Sequence, residues 1–346
     1  MKILMIGGTG LISKNITIRC AELGWDVTLL NRGRSSNKLP EGIKVNFLQG
    51  DIQDEKQVAE LIKGKSFDVV ANFINYLPSE VERDIRLFSG KTKQYIFIST
   101  ASAYQKPLSH PIITESTPLA NPHWLYSREK IACEEVLMHA YRQHGFPITI
   151  VRPSHTYDIR QIPFALHGRG PWQIIKRIQE GKPVIVPGDG SSLWTVTHSR
   201  DFAKGFVGLM GNLHAIGEAV HITSDESLTW NQIAYAVGSA LNVEPKLCHV
   251  SSDFLVACDP GLAGGLLGDK SVSVIFDTGK LKRLVPGFRA DIRFDMGVRW
   301  SLDYYLNTPE AQVEDPDFDA FTEAVVNAQA VAAESVRKAG IKVNNY

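Results

Sequence analysis

Short apolar runs punctuate the first half of the chain: Lys2 to Ile6, Asp26 to Leu30, Lys44 to Gln49, Asp68 to Asn72, Gln94 to Ser99 and Ile148 to Val151. Runs this short, rich in Ile, Val, Leu and Phe and bounded by turn residues, are what strands buried on both faces look like. Between them the apolar positions take helical spacing, as in Glu55 to Ile62 and Tyr126 to His144. The alternation predicts an α/β fold with a doubly wound parallel sheet covered on both faces. After Arg152 the rhythm loosens around Gly168-Arg169-Gly170-Pro171 and Pro187-Gly188-Asp189-Gly190, then resumes as a helix over His198 to Leu213 and a strand over Gly217 to Thr223. The expected organisation is a sheet domain over 1–155 completed by parts of 190–225, a smaller interleaved substrate-facing lobe over 156–310, and a tail over 311–346. Within the tail, Phe318 to Ala339 reads as an alanine-rich amphipathic helix suited to packing or self-association.

The first strand breaks into Gly7-Gly8-Thr9-Gly10-Leu11-Ile12-Ser13. A turn that needs positive φ and lets a ligand approach the backbone calls for glycine. A helix starting at Leu11 would point its free N–H groups over that turn, where the pyrophosphate of a dinucleotide is the usual guest. The strand Asp26 to Leu30 follows at the distance a βαβ unit requires. A G-x-x-G-x-x-G pattern has its third glycine at position 13, where Ser13 is still small enough for close helix-to-strand packing.

Past the second strand, Asn31-Arg32-Gly33-Arg34-Ser35-Ser36 holds no carboxylate for an adenosine ribose but offers two guanidiniums and two hydroxyls to a 2′-phosphate. NADP(H) is therefore expected ahead of NAD(H), with a solvated basic loop as the alternative. Asp51, after the third strand, stands where a carboxylate would receive the adenine amino group or cap the helix beginning near Asp54.

The segment from Ile96 to Tyr104 is a buried strand ending in the hydroxyls of Ser99, Thr100 and Ser102, at the carboxyl edge where open α/β sheets place their chemistry. Downstream, Tyr126 and Lys130 stand four residues apart, on one face of a helix. An ammonium there is expected to lower the phenol pKa from its ordinary value of about 10 into a range useful for proton transfer. Thr100 would hold the substrate oxygen, and Lys130 would also reach the cofactor ribose.

Charge changes this picture only by exclusion. Thirty-seven basic residues balance thirty-seven acidic ones, which gives no support to a broad nucleic-acid surface. Cys20, Cys133, Cys248 and Cys258 are scattered, without the spacing of a metal site or a disulfide framework. With no secretory leader and no apolar run of membrane-spanning length, a reduced cytoplasmic setting is expected, away from membranes.

Taken in this order, the motifs resemble the extended short-chain dehydrogenase/reductase family, the group that includes nucleotide-sugar epimerases and dehydratases. The resemblance rests on Gly7-Gly8-Thr9-Gly10 with Ile12, Asp51, the Ser99 to Tyr104 strand end, Tyr126 with Lys130, and Arg152-Pro153. It implies a Rossmann domain, an NADP or NAD cofactor, and a Thr100/Tyr126/Lys130 triad with Tyr126 as acid/base. The coenzyme would lie along Gly7, Gly8, Thr9, Gly10, Leu11 and Ile12, then Asn31, Arg32, Arg34 and Ser35. It would continue past Asp51, Ile52, Asn72 and Ser99 to Tyr126, Lys130 and Pro153. Hydride transfer at a hydroxyl or keto carbon of a sugar-like or small polar substrate follows from the same resemblance, as does a homodimer through a four-helix contact.

Departures from the family pattern bear on the substrate. Sugar-nucleotide enzymes of the family carry R-x-x-N-V-Y-G where this chain reads Arg152-Pro153-Ser154-His155-Thr156-Tyr157-Asp158. They carry G-D-G-x-x-x-R-D-F, with an arginine for pyrophosphate, where this chain has Trp194. An indole cannot supply bidentate contacts to phosphate. Ser102, His155 and Trp194 thus suggest a pocket for a smaller or more apolar molecule than a nucleotide diphosphate, although His155 and Trp194 also read as packed core. The stretches Leu228 to Ile233 and Leu266 to Asp277 resemble the branch containing chloroplast stem-loop RNA-binding proteins, so RNA binding is carried as the rival reading.

Overall fold

The computed structural model describes residues 1–33 and 39–340. In chain order the strands are β1 (Lys2–Ile6), β2 (Asp26–Asn31), β3 (Asn46–Gln49), β4 (Val69–Asn72), β5 (Tyr95–Ile98), β6 (Ile112–Ile113), β7 (Ile148–Pro153), β8 (His155–Tyr157), β9 (Val184–Pro187), β10 (Leu193–His198), β11 (Ala219–Ile222), β12 (Ser227–Thr229), β13 (Leu247–Val250) and β14 (Ile275–Phe276). The helices are α1 (Ser13–Glu22), α2 (Glu55–Leu61), α3 (Pro78–Phe88), α4 (Leu125–His144), α5 (Trp172–Gln179), α6 (Ser199–Leu209), α7 (Trp230–Leu241), α8 (Ser252–Cys258), the single turn α9 (Ala263–Gly265), α10 (Gly279–Leu284), α11 (Phe294–Asn307) and α12 (Pro316–Lys338).

Seven strands form one parallel sheet in the order β11-β7-β5-β4-β1-β2-β3. The chain winds outward from β1 through β3, then crosses to the other side of β1 for β4. That reversal opens a crevice above the carboxyl ends of β1 and β4, where ligands of such sheets bind. Both sheet faces are apolar because both are covered. Ile3, Met5, Val27 and Leu29 pack against Ile16 and Cys20 of α1 and Phe202 and Phe206 of α6. Leu4, Ile6 and Leu30 pack on the other side with Val58, Val81, Phe88 and Leu137 from α2, α3 and α4. The doubly wound Rossmann-type sheet expected from the apolar runs is thus present, and it takes its last strand, β11, from beyond residue 200.

A second body of structure hangs from the carboxyl side of β7. It comprises the small sheet β12-β10-β8 and the pair β13-β9, around a core that includes Ile175, Trp194, Trp230 and Phe294.

Local differences from the sequence reading have identifiable causes. The first helix begins at Ser13 rather than Leu11, because the Ser13 side chain closes the glycine turn. The helix expected to run to Leu213 stops at Leu209. Gly211 takes φ +75° and its N–H donates to Gln94 Oε1 instead of extending the helix. Helix α3 turns an apolar stripe of Val81, Ile85 and Phe88 to the core, and beside it Arg83 and Asp84 are interior as a buried ion pair. No helix among the described residues is long and apolar enough to cross a membrane.

Candidate active site

The crevice is floored by the β1–α1 turn. Gly7 has φ +80°, and a Cβ there would lie 2.6 Å from Ile74 Cγ2. At Gly8 a Cβ would meet Leu29 Cδ2 at 2.7 Å. Gly7 is therefore demanded by its backbone conformation and by packing, whereas at Gly8 it is the packing below alone that favours glycine. Ser13 does more than fit: its hydroxyl donates to Gly7 O at 2.6 Å and accepts from Gly10 N at 2.9 Å. Thr17 Oγ1 donates to Gly8 O at 2.7 Å. The turn is stapled to its own helix from two sides.

At the end of β2, Asn31 Oδ1 accepts from Gly33 N, while Asn31 Nδ2 is buried without a hydrogen-bond partner among the described residues. Arg32 is exposed, its guanidinium 4.0 Å from Asp51 Oδ2. Arg34 and Ser35 lie outside the described residues. Asp51 is not the helix cap, because α2 is capped by Asp54, which accepts from Gln57 N at 3.0 Å. One Asp51 oxygen accepts from Gln53 N and the other faces Arg32, beside the buried Ile52. Asn72 has its side chain spent, Nδ2 donating to Asp84 and Oδ1 accepting from Ile74 N. Only its backbone remains to meet a ligand.

At the carboxyl ends of β5 and β7 lies a cavity of about 420 Å³ lined by Tyr76, Thr100, Ser102, Trp124, Tyr126, Pro153, His155, Trp194, Asp269 and Lys270 among others. The sequence-predicted Thr100, Tyr126, Ser102, His155 and Trp194 all meet at it. Tyr126 and Thr100 stand on the same stretch of its wall, and the Thr100 side chain acts to hold the phenol pKa down. Thr100 Oγ1 lies 2.9 Å from Ser102 Oγ, which in turn lies 2.8 Å from Ser127 Oγ. Ser102 is thereby a buried link that positions Thr100. Ser99 Oγ, buried at the strand end, has no hydrogen-bond partner.

Lys130 departs from expectation. Its ammonium donates to Asn75 O at 2.6 Å and Ile98 O at 2.8 Å, and stands 5.9 Å from the Tyr126 ring centroid. Burial lowers its pKa to about 8. The phenol pKa is not lowered. Burial pushes it up to about 12, against the opposing influence of the Thr100 side chain, with Tyr76 and Asp269 adding to the rise. The physical reason is that two carbonyls hold the ammonium while the phenol loses its water. His155 is held neutral, its pKa lowered to about 3 by burial and by Lys270. It packs edge-on to Trp194, ring centroids 6.0 Å apart.

Four wall residues were not singled out as site residues from the sequence: Tyr76 and Trp124, and Asp269 and Lys270, which lie in the Leu266 to Asp277 stretch. Asn121 ties the Trp124 and Asp269–Lys270 segments together, its Nδ2 donating to Ser102 O and Gly268 O while Oδ1 accepts from His123 N and Trp124 N at the start of α4. No local periodicity could reveal these, since they meet only through tertiary contact over nearly 150 positions.

Glycine turn, strand-end hydroxyls and a tyrosine with lysine one helical turn on, gathered at the switch point of a parallel sheet, define a dinucleotide-dependent enzyme of the short-chain dehydrogenase/reductase class. Residues 3–222 match the model of the NAD dependent epimerase/dehydratase family, and the chain belongs to that family. Over 260 residues it is 28% identical to the chloroplast stem-loop binding protein of 41 kDa b of Arabidopsis thaliana, covering 72% of this chain and 65% of that protein. Over 291 residues it is 24% identical to 2'-dehydrokanamycin reductase of Streptomyces kanamyceticus, covering 84% and 80%. Among solved structures, UDP-glucuronic acid 4-epimerase from Bacillus cereus in complex with UDP-glucuronic acid and NAD matches with TM-score 0.70 at 19% identity over 88% and 98% of the two chains. UDP-glucose 4-epimerase from Bifidobacterium longum in complex with NAD+ and UDP matches with TM-score 0.71 at 19% identity over 90% and 100%.

Proposed function

We propose that the protein is an NAD(P)-dependent oxidoreductase or epimerase that acts at a hydroxyl or keto carbon of a small, sugar-like substrate. The observation that carries this reading is a cavity that brings the Tyr126 phenol together with Thr100 at the carboxyl ends of β5 and β7. The orphaned Asn31 Nδ2 and Ser99 Oγ, together with glycines whose added Cβ atoms would clash, fit a dinucleotide laid across the crevice. When bound, a nicotinamide would supply the hydride donor or acceptor. The chain's own residues do the rest. Tyr126 passes a proton to or from the substrate oxygen, Thr100 orients that oxygen, and Lys130 lies where its ammonium can hold a ribose hydroxyl. A preference for NADP over NAD rests on Arg32, with Arg34 and Ser35 beyond the described residues. The comparison of KM values for the two coenzymes tests it.

The division into a coenzyme domain over 1–155 and a substrate lobe over 156–310 belongs to the same reading, as does a homodimer through the exposed sides of α3 and α4. Substitution Tyr126→Phe is expected to cut kcat by roughly 10² to 10⁴ while leaving coenzyme affinity within about twofold, since the phenol is asked only to move a proton. A fully active variant would refute the assignment. The similarity to a stem-loop binding protein supports a second reading, RNA binding on a retained fold. RNA retention that collapses between about 50 and 200 mM salt would support phosphate contacts, and no retention at either would remove this reading.

A further inference from the structure

Charge is scarce around the substrate cavity. Of the side chains that line it, only Asp269 and Lys270 are charged, since His155 is neutral. Lys270 ends a π-helical turn, Leu266–Lys270, whose backbone is pinned from two sides: Asn121 Nδ2 donates to Gly268 O at 2.7 Å and Trp230 Nε1 donates to Lys270 O at 3.1 Å. The ammonium is thereby set 5.9 Å from the Trp124 ring centroid and 5.7 Å from that of Trp194. It reaches Asp269 Oδ2 at 3.3 Å, with both side chains only 14% exposed.

Asp269 does not belong to Lys270 alone. Behind it stands Lys106, 6% exposed, whose Nζ has no hydrogen-bond partner among the described residues and whose charge interacts with that carboxylate. One carboxylate thus answers two lysines, and of the two it is Lys270 that lines the cavity, in a poorly solvated place. An unpaired buried cation is costly, and a ligand anion relieves it. The surplus suits a single carboxylate. A diphosphate brings more charge and calls for a bidentate guanidinium, which this wall lacks. The flat walls offered by Trp124, Trp194 and Tyr76 suit the C–H face of a saturated ring, and Tyr126 with Thr100 awaits a hydroxyl or carbonyl at its far side.

We infer that Lys270 selects the substrate by pairing with a carboxylate carried on a hydroxylated ring, so that the substrate class is an acidic sugar or a cyclic hydroxy acid. This rests on the reading of the cavity as the substrate site of an oxidoreductase. The three tryptophans near the cavity, Trp124, Trp194 and Trp230, provide a readout that needs no turnover. Quenching of their fluorescence by glucuronate, glucose, glucosamine and UDP-glucose is measured on the full chain, and NADPH binding is followed separately by its own emission. Glucuronate is expected to bind about 10-fold more tightly than glucose, the value of one charged hydrogen bond. Lys270→Gln should bring that ratio to about one, Lys270→Arg should retain most of it, and NADPH affinity should stay unchanged in both. Equal binding of glucose, tighter binding of glucosamine or UDP-glucose, or a ratio that survives Lys270→Gln overturns the inference. Glucuronate preference without any NADPH binding would instead leave the inference standing and bring down the oxidoreductase reading.

Discussion

A phenol whose pKa lies at about 12 keeps its proton throughout the neutral range, so Tyr126 stands ready as an acid before it can serve as a base. The sign follows directly. Burial disfavours the phenolate, the protonated form dominates until the pH approaches that value, and reduction of a carbonyl, which needs a proton donor, is supported across neutral pH. In the coenzyme-free protein, the difference in tyrosinate absorbance between wild type and Tyr126→Phe is therefore expected to stay flat from pH 8 to pH 10. A step in that window would show that Lys130 does lower the phenol pKa after all. The identity of this pair was legible in the sequence because i, i+4 spacing fixes a shared helix face. Its electrostatics were not, because the carbonyls that capture the ammonium come from distant segments, Asn75 in the loop between β4 and α3 and Ile98 at the end of β5.

At the scale of elements, two devices hold the crevice in shape. In the first, Ser13 takes the place of a glycine and joins Gly7 to Gly10 through one hydroxyl. Ser13→Ala removes both bonds, and with roughly 1 kcal/mol each it is expected to lower Tm by several degrees and weaken coenzyme binding several-fold. Ser13→Gly should behave alike, although it restores the family pattern; a coenzyme affinity at or above wild type would show the staple to be dispensable. In the second, Asp84 is fully buried and accepts from Asn72, Asn75, Tyr95 and Arg83. Asn75 then offers its backbone oxygen to Lys130, so the cluster is a positioning device for the active site. Asp84→Ala strands a buried guanidinium and should cost about 3–5 kcal/mol. The milder Asp84→Asn should fold while raising the coenzyme KM more than it lowers kcat. Element existence was readable wherever an apolar run or a glycine turn announced it. It was hidden in α3 and β10, where charged or polar residues are interior because partners from distant segments satisfy them.

For the whole molecule, the sheet was legible because burial on both faces leaves its mark in its strands, the exposed edge strand β3 excepted, whereas the second lobe is assembled from short strands paired across long sequence gaps, such as β9 with β13 and β6 with β14. No window of sequence contains both halves of such a pair. The terminal helix α12 shows how the two lobes' economies differ along one element. Its first half is anchored: Asp315 caps it, Arg177, itself buried, donates to Asp319 and Glu323, and Thr322 and Val325 are buried. Its second half is bare, with Val331 at 66% and Val336 at 62% exposure. Packing thus accounts for the amphipathic pattern only as far as Val325. Deletion of 330–346 should leave Tm within about 2 °C, because the described residues it removes, 330–340, are all exposed. Deletion of 314–346 should cost about 3 kcal/mol or more, because it leaves Arg177 buried without its carboxylates. Sedimentation of the shorter truncation separates the remaining alternatives for the bare half. If the mass in solution falls to that of a monomer while Tm holds, the second half of α12 joins copies of the chain, and an unchanged mass places self-association on another surface.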